Sequence, residues 1–392
     1  MNYVGLVLAD IHVGAGDLAK LEYEFTELVL KRIIKMDKID FIVFCGDFFD
    51  KKFYLNEKAS VTAYKLIKDL INICKSKNVA LRFLYGTESH ECGQYDILNE
   101  LELYDNVKVI NHTSIEELLP GLHVLYVPEE YIIDKADFYK DTLYSNHKVD
   151  YVFGHGVIKE VMREISIHVS KASEKRLRAP LFKTNELLNI CDGEVYFGHY
   201  HLNREFDNRV FSIGSFSRWR YGEEERKGFY EITCDIEKRK YHHKYIENTL
   251  ADPYQTVTFG YNNEIFSNTE ELQHKLDKIN SMQKHNKDKH TRYIFNIPVN
   301  TDAPEITINI IKERLKDTPN TKIEISNGYI EERRKNKKEK LNTENEKFAF
   351  IFDKSLSLED KVQEYIKLQY EKNIPRDDIK KYLYDELSEI LK

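Results

Sequence analysis

The 392-residue chain lacks the marks of several protein classes. Its five cysteines, Cys45, Cys74, Cys92, Cys191 and Cys234, include no Cys-x-x-Cys pair. That spacing argues against a disulfide framework or a zinc knuckle and for reduced, intracellular thiols. No apolar run approaches the ~20 residues that a membrane-spanning helix needs, so no membrane contact is expected. The first residues, MNYVGLVLAD, carry neither a basic region nor a small-residue cleavage site, so they are not expected to be a secretory signal. A basic surplus is missing too. The formal charge is −7, so any contact with nucleic acid must come from local patches. The apolar fraction, by contrast, is 41%, enough for a real core, and the length suits two or three domains.

What the chain does have is a set of apolar runs that each stop at an acid or a histidine. Phe41-Ile42-Val43-Phe44-Cys45 reads as a fully buried strand and ends at Gly46, followed by Asp47 and Asp50. Tyr3 to Ala9 ends in Asp10-Ile11-His12, and Ala80 to Tyr85 in Gly86-Thr87-Glu88-Ser89-His90-Glu91. Asp150 to Phe153 ends in Gly154-His155, and Glu194 to Phe197 in Gly198-His199-Tyr200-His201. Open α/β sheets hold their ligands at the carboxyl edge of their strands, and glycine lets the backbone approach an ion closely. Taken alone, Asp10 would serve equally to cap the following helix, and His155 would pass for a core histidine. Together the five ends predict a two-metal site, in which paired cations hold a phosphoryl group for in-line attack. Imidazole and carboxylate without thiolate suit Mn, Fe or Zn better than Ca.

Periodicity predicts helices over Leu21–Met36 and Glu57–Lys77 between the first strands, with further strands at Val107–Ile110 and Leu122–Val127. Strands without helices follow from Val210 to Ile246. The fold class is therefore α/β, two packed sheets with helices outside, over residues 1–250. Residues 251–329 read as a small α+β domain without an acid/histidine cluster. Residues 330–354 read as a charged linker, in which disorder is the simplest reading. Residues 355–392 read as two short amphipathic helices, which fold back on the body or dock a partner.

The ordered motifs resemble the calcineurin-like metallophosphoesterases, and among them the SbcD-type DNA-repair nucleases and their bacteriophage recombination-endonuclease counterparts. Ser212-Ile213-Gly214-Ser215, Tyr221-Gly222-Glu223 and Lys227-Gly228-Phe229 are similar to a further segment of that branch. The resemblance implies a metallophosphoesterase β-sandwich flanked by helices, with a small α+β cap domain and a C-terminal helix pair. It implies that Asp10, His12 and His201 hold one metal, that Asp47 bridges, and that His155 and His199 hold the second. His90 would protonate the leaving oxygen, and Asp50 would orient a ligand. The implied cofactors are two divalent ions, Mn²⁺ foremost and Mg²⁺ second. The implied partners are DNA, an ABC-type coiled-coil ATPase (SbcC-like) and a second copy of the chain. The setting would be the cytoplasm of a bacterium or of a phage-infected bacterial host.

One departure stands out. The family's third motif is usually Gly-Asn-His followed by an acid, with the Asn on the second metal. Here two residues are added, and Thr87, Glu88 and Ser89 all remain candidates for the Asn's place. Two basic clusters are candidates for DNA contact: Lys171, Lys175, Arg176 and Arg178, and the pair Arg218 and Arg220 with Trp219 and Tyr221 interleaved. The second is favoured because it mixes base-stacking with phosphate-binding side chains. Two other functions fit the same motifs: a phosphatase or small-molecule phosphodiesterase, and a catalytically weakened DNA-binding subunit.

Overall fold

The computed structural model describes residues 1–54, 56–96, 106–164, 180–259, 269–285, 289–297, 304–327 and 360. The charged linker, the tail helix pair apart from residue 360, and the Lys171–Arg178 cluster lie outside them.

The first compact unit comprises Met1–Thr256 with Gln283–Arg292 and Pro319–Lys322. It contains two six-stranded sheets. In the first sheet, Asn2–Leu8, Phe41–Cys45, Ala80–Leu84 and Val107–Ile110 run parallel, and Gly228–Asp235 and Lys240–Glu247 extend the edge antiparallel. Every residue of Phe41–Cys45 is buried, as its unbroken apolar run requires of a central strand. In the second sheet, Leu122–Val127, Val149–His155, Cys191–Gly198 and Val210–Ser212 run parallel, and Ser114–Leu119 and Arg204–Phe206 close the edges antiparallel.

The sheets share one core. Val7, Phe41, Val43 and Leu84 of the first pack with Val124, Tyr126, Phe153 and Tyr196 of the second. The outer face of the first sheet is covered by Lys58–Lys77, through Leu66, Ile67, Leu70, Ile71 and Cys74, and by the helix that begins at Leu18. The latter passes through a π-turn at Thr26–Leu30 before Lys31–Lys35. Its N-terminal amides, Ala19 and Lys20, donate to Asp17. Asp10 is thereby free of capping duty. The outer face of the second sheet is covered by Thr184–Ile190 and its neighbours. That helix and the Ser114–Leu119 strand were not evident in the sequence, because the helix is short, with three buried positions, and the strand has one.

The second unit has its own core, formed by Leu272, Leu276, Tyr293, Phe295, Ile311 and Leu315. Its helices, Thr269–His285 and Pro304–Leu315, accompany a three-stranded sheet. No helix among the described residues is long and apolar enough to cross a membrane.

Candidate metal centre

Parallel registry brings the carboxyl ends of the central strands of both sheets to one edge, and each end turns sharply there. Asp10, His12, Asp47 and His199 all have positive φ, between 47° and 105°. Such left-handed geometry is strained in non-glycine residues and persists where surrounding structure enforces it. The enforcement is visible. Asp10 and His12 donate their amides to the Gly46 and Asp47 carbonyls, which zips the first two loops together. The His199 amide donates to both oxygens of Asp10, at 3.1 Å each. Gly46 and Gly86 have no room for a side chain. A Cβ on Gly86 would sit 2.2 Å from Asp47 Oδ1, and one on Gly46 2.3 Å from His155 Nδ1.

All the expected ligands meet here. Asp10, His12 and His201 form one group, and Asp10, Asp47 and His155 another. Asp47 Oδ2 lies 3.6 Å from His12 Nε2 and 3.3 Å from His155 Nε2, so it stands between the two halves. The imidazoles are oriented from behind. His155 donates Nδ1–H to the Cys45 carbonyl at 2.8 Å, and His201 Nδ1 bonds Glu223 Oε1 at 2.6 Å. Both therefore present Nε2 to the site. Lys227, itself buried, holds the His201 carbonyl and the Ser215 hydroxyl from below. Burial lowers this ammonium to about 8, even though Glu223 opposes the shift.

The third motif is resolved by the backbone. Glu88–Glu91 forms a short helical turn that leaves Glu88 and Ser89 exposed. Thr87, before that turn, faces inward. Its amide donates to Asp47 Oδ1 at 2.6 Å, and its hydroxyl lies 3.3 Å from Asp47 Oδ2 and 3.5 Å from His155 Nε2. Of the three candidates, Thr87 is thus the one that reaches Asp47 and His155. The inserted pair carries His90 to the cleft beside Asp50, where its Nδ1 donates to the Asp50 carbonyl. Its ring meets that of His12 edge to face at 4.7 Å.

Sequence reasoning missed Glu129, which joins His155 and His199 in a third group. A signal was available, because Glu129 follows the Leu122–Val127 strand by two residues. The run Val127-Pro128-Glu129 lacked the glycine that marked the other ends.

The electrostatics call for cations. Burial would raise the Asp47 carboxyl, but His155 and His12 outweigh it and hold it far below the usual carboxylate range. Burial would likewise lower both imidazoles. The carboxylates reverse this, pushing His12 up to about 9 and His155 to about 10 in the metal-free protein. Asp10, Asp47 and Glu129 are all buried, and clustered buried charge of one sign demands compensation. His12 Nδ1 and His199 Nδ1 are buried without a hydrogen bond. This donor set fits two divalent ions.

The expected arginine pair divides. Arg218 is tied to the backbone carbonyls of Glu223, Glu225 and Ala251, which fixes the loop and turns its guanidinium inward. Arg220 stays exposed on the rim, pairing with Glu223 at 2.9 Å. Together with Trp219 it borders a cleft of about 410 Å³ that contains His12, Asp47, His90 and His201.

The sequence signature of the calcineurin-like phosphoesterases matches residues 6–203. The chain belongs to that family. This phosphoesterase therefore comes from a group of metal-dependent hydrolases that bind two divalent metals. A comparison with curated proteins gives no match. Among solved structures, one described as a novel archaeal phosphodiesterase is 13% identical. It covers 62% of this chain and 99% of its own, with a TM-score of 0.29. A second is 12% identical with the same coverage and a TM-score of 0.35.

Proposed function

We propose that this phosphoesterase is a manganese-dependent DNA nuclease, the nuclease subunit of an SbcCD-type repair and recombination complex. Asp10, His12 and His201 would hold one ion and His155 and His199 the other, with Asp47 between them. When bound, the ions acidify water and neutralise the charge that builds on the phosphoryl oxygens. The protein's own groups do the rest. Asp10 and Asp47 are locked by the His199 and Thr87 amides, so the site needs little reorganisation during reaction. His90, beside the ligands and hydrogen-bonded through Nδ1 to the Asp50 carbonyl, is the group placed to give a proton to the leaving oxygen. Arg220 and Trp219 at the cleft rim offer a phosphate partner and a stacking face.

The observation that carries the polymer substrate is a second cleft beside the first, with His12 and Trp219 in the lining of both. This second cleft has a volume of about 230 Å³ and is also lined by Lys20, Tyr254 and His290, with Asp17 and Asp252 among them. Tyr254 and His290 stack there at 4.6 Å. A small phosphoester needs one cavity, whereas a strand needs a continuing path with aromatic faces. The deciding experiment is cleavage of end-labelled single- and double-stranded DNA with Mn²⁺, run beside a small chromogenic phosphodiester. Turnover of the small ester alone would favour the small-molecule reading. Metal binding without turnover of either would favour the weakened DNA-binding subunit.

The ATPase partner and the homodimer belong to the same proposal. Deleting the chain after Lys347 should abolish co-purification with the coiled-coil ATPase while leaving Mn²⁺-dependent cleavage of single strands. Sedimentation of the full chain should give the dimer mass.

A further inference from the structure

We propose that Glu129 is a direct ligand of the second metal, supplying with Thr87 what the family's asparagine would otherwise supply. The inference rests on the two-metal reading above and concerns residues particular to this chain.

The Glu129 side chain is 2% exposed. Its Oε2 lies 3.2 Å from His199 Nδ1, 3.7 Å from His155 Nε2 and 3.4 Å from the Thr87 hydroxyl. Three donors from three strand ends thus converge on one carboxylate oxygen. His199 Nδ1 is buried without a hydrogen bond although that oxygen is so near. That nitrogen and oxygen pair at 3.2 Å, and with His155 they form a group of three ligand-type atoms close enough together to surround one ion. Imidazole nitrogens and a carboxylate oxygen so grouped are the donor types that a divalent ion takes. His155 leads to the same conclusion, because its Nδ1–H is already given to the Cys45 carbonyl and its Nε2 is free to ligate.

Glu129 is itself steadied. Tyr131 donates its hydroxyl to Oε1 at 2.9 Å, and the Glu129 amide donates to the Tyr85 carbonyl at 3.1 Å. One oxygen is thus held from behind and the other left for the ion, the usual design of an oriented carboxylate ligand. A threonine hydroxyl is a poor replacement for an amide oxygen. A carboxylate beside it restores a strong ligand and adds a negative charge that the amide lacks. The altered third motif therefore does not leave the second metal short of a donor.

The test uses the full-length protein and the near-isosteric variant Glu129→Gln, with Glu129→Ala as a second variant. Mn²⁺ binding is followed by calorimetric titration and by the exchange-coupled electron paramagnetic resonance signal of a paired site. Wild type should bind two ions per chain and show the coupled signal. Both variants should keep one ion at wild-type affinity and lose the coupled signal at ion concentrations that saturate wild type. Anomalous diffraction from Mn²⁺-soaked wild-type crystals should place the second ion at ligand distance from Glu129, about 2.0–2.2 Å for a carboxylate oxygen. A second ion beyond hydrogen-bond reach of Glu129, or variants that bind two coupled ions as wild type does, would overturn the proposal and leave the two-metal reading intact. Wild type binding fewer than two ions would instead sink the reading on which it rests. Unchanged melting temperatures of the metal-free variants establish that any loss is not unfolding.

Discussion

His12 and His201 bring their Nε2 atoms to within 3.0 Å of each other, with Asp10 Oδ1 3.8 Å from the first and 3.9 Å from the second. Two ring nitrogens and a carboxylate oxygen converge on one point, the donor set that a divalent ion takes. Without metal, protons take part of that role, since His12 and His155 are held protonated at neutral pH by the surrounding carboxylates.

Metal binding should therefore release protons. The raised imidazole values mean that protons compete with the ions until the pH passes about 9 for His12 and about 10 for His155. Apparent Mn²⁺ affinity should rise with pH across the neutral range. Calorimetric titrations in buffers of different ionisation enthalpy should show a net release at pH 7, and heats independent of the buffer would contradict the site's electrostatics.

Asp47→Asn should abolish hydrolysis while the protein still folds. The carboxylate stands between the two halves of the site, 3.6 Å from His12 Nε2 and 3.3 Å from His155 Nε2, and an amide cannot supply two anionic oxygens to two ions. Wild-type turnover with Mn²⁺ in this variant would refute the assignment.

His90→Ala should slow turnover by about 10²–10⁴-fold, the usual loss of a general acid, while two Mn²⁺ ions still bind. The ring lies in the cleft close to His12 and Asp50, so a ligand role is the alternative. Loss of one bound ion in the variant would establish that alternative.

Glu91→Gln should change how stability depends on pH. The Glu91 carboxyl is fully buried, and burial, reinforced by Asp47, pushes it up from 4.5 to about 8. A group raised in the folded state contributes stability that is complete below its unfolded value and is lost as pH rises through its folded value. Glu91 should therefore make metal-free wild type lose stability as the pH rises from about 4.5 to 8. Glutamine can still accept from the Phe48 amide, as Glu91 does, and cannot ionise. Denaturant midpoints across that range should flatten in the variant, and parallel curves would refute the account.

Arg220→Ala should weaken DNA binding and flatten its salt dependence by about one unit in the log–log slope, as loss of one phosphate contact does. Arg218→Ala should mainly lower the melting temperature, because its guanidinium binds three backbone carbonyls. An unchanged slope for Arg220→Ala would make it a plain rim charge, engaged with Glu223 and His201 and not with DNA.

The sequence by itself determined the α/β class, the central strands and the order of five strand ends that carry acids or histidines. It could do so because a buried parallel strand is a continuous apolar run, and because the residue after such a run must lie at the sheet edge. That rule found Asp10, His12, Asp47, His155, His199 and His201 without any knowledge of contacts. Only the tertiary structure decided the rest. Thr87, Glu88 and Ser89 are equal candidates along the chain, and the helical turn over Glu88–Glu91 separates them by turning two outward. Arg218 and Arg220 look alike in sequence, and the nearby carbonyls of Glu223, Glu225 and Ala251 take one of them inward. Glu129 ends its strand without a glycine, and its meeting with His199 across 70 residues depends on parallel pairing of Leu122–Val127 with Val149–His155 and of the latter with Cys191–Gly198. Local pattern fixes which residues reach an edge, and the pairing of distant strands fixes which of them meet.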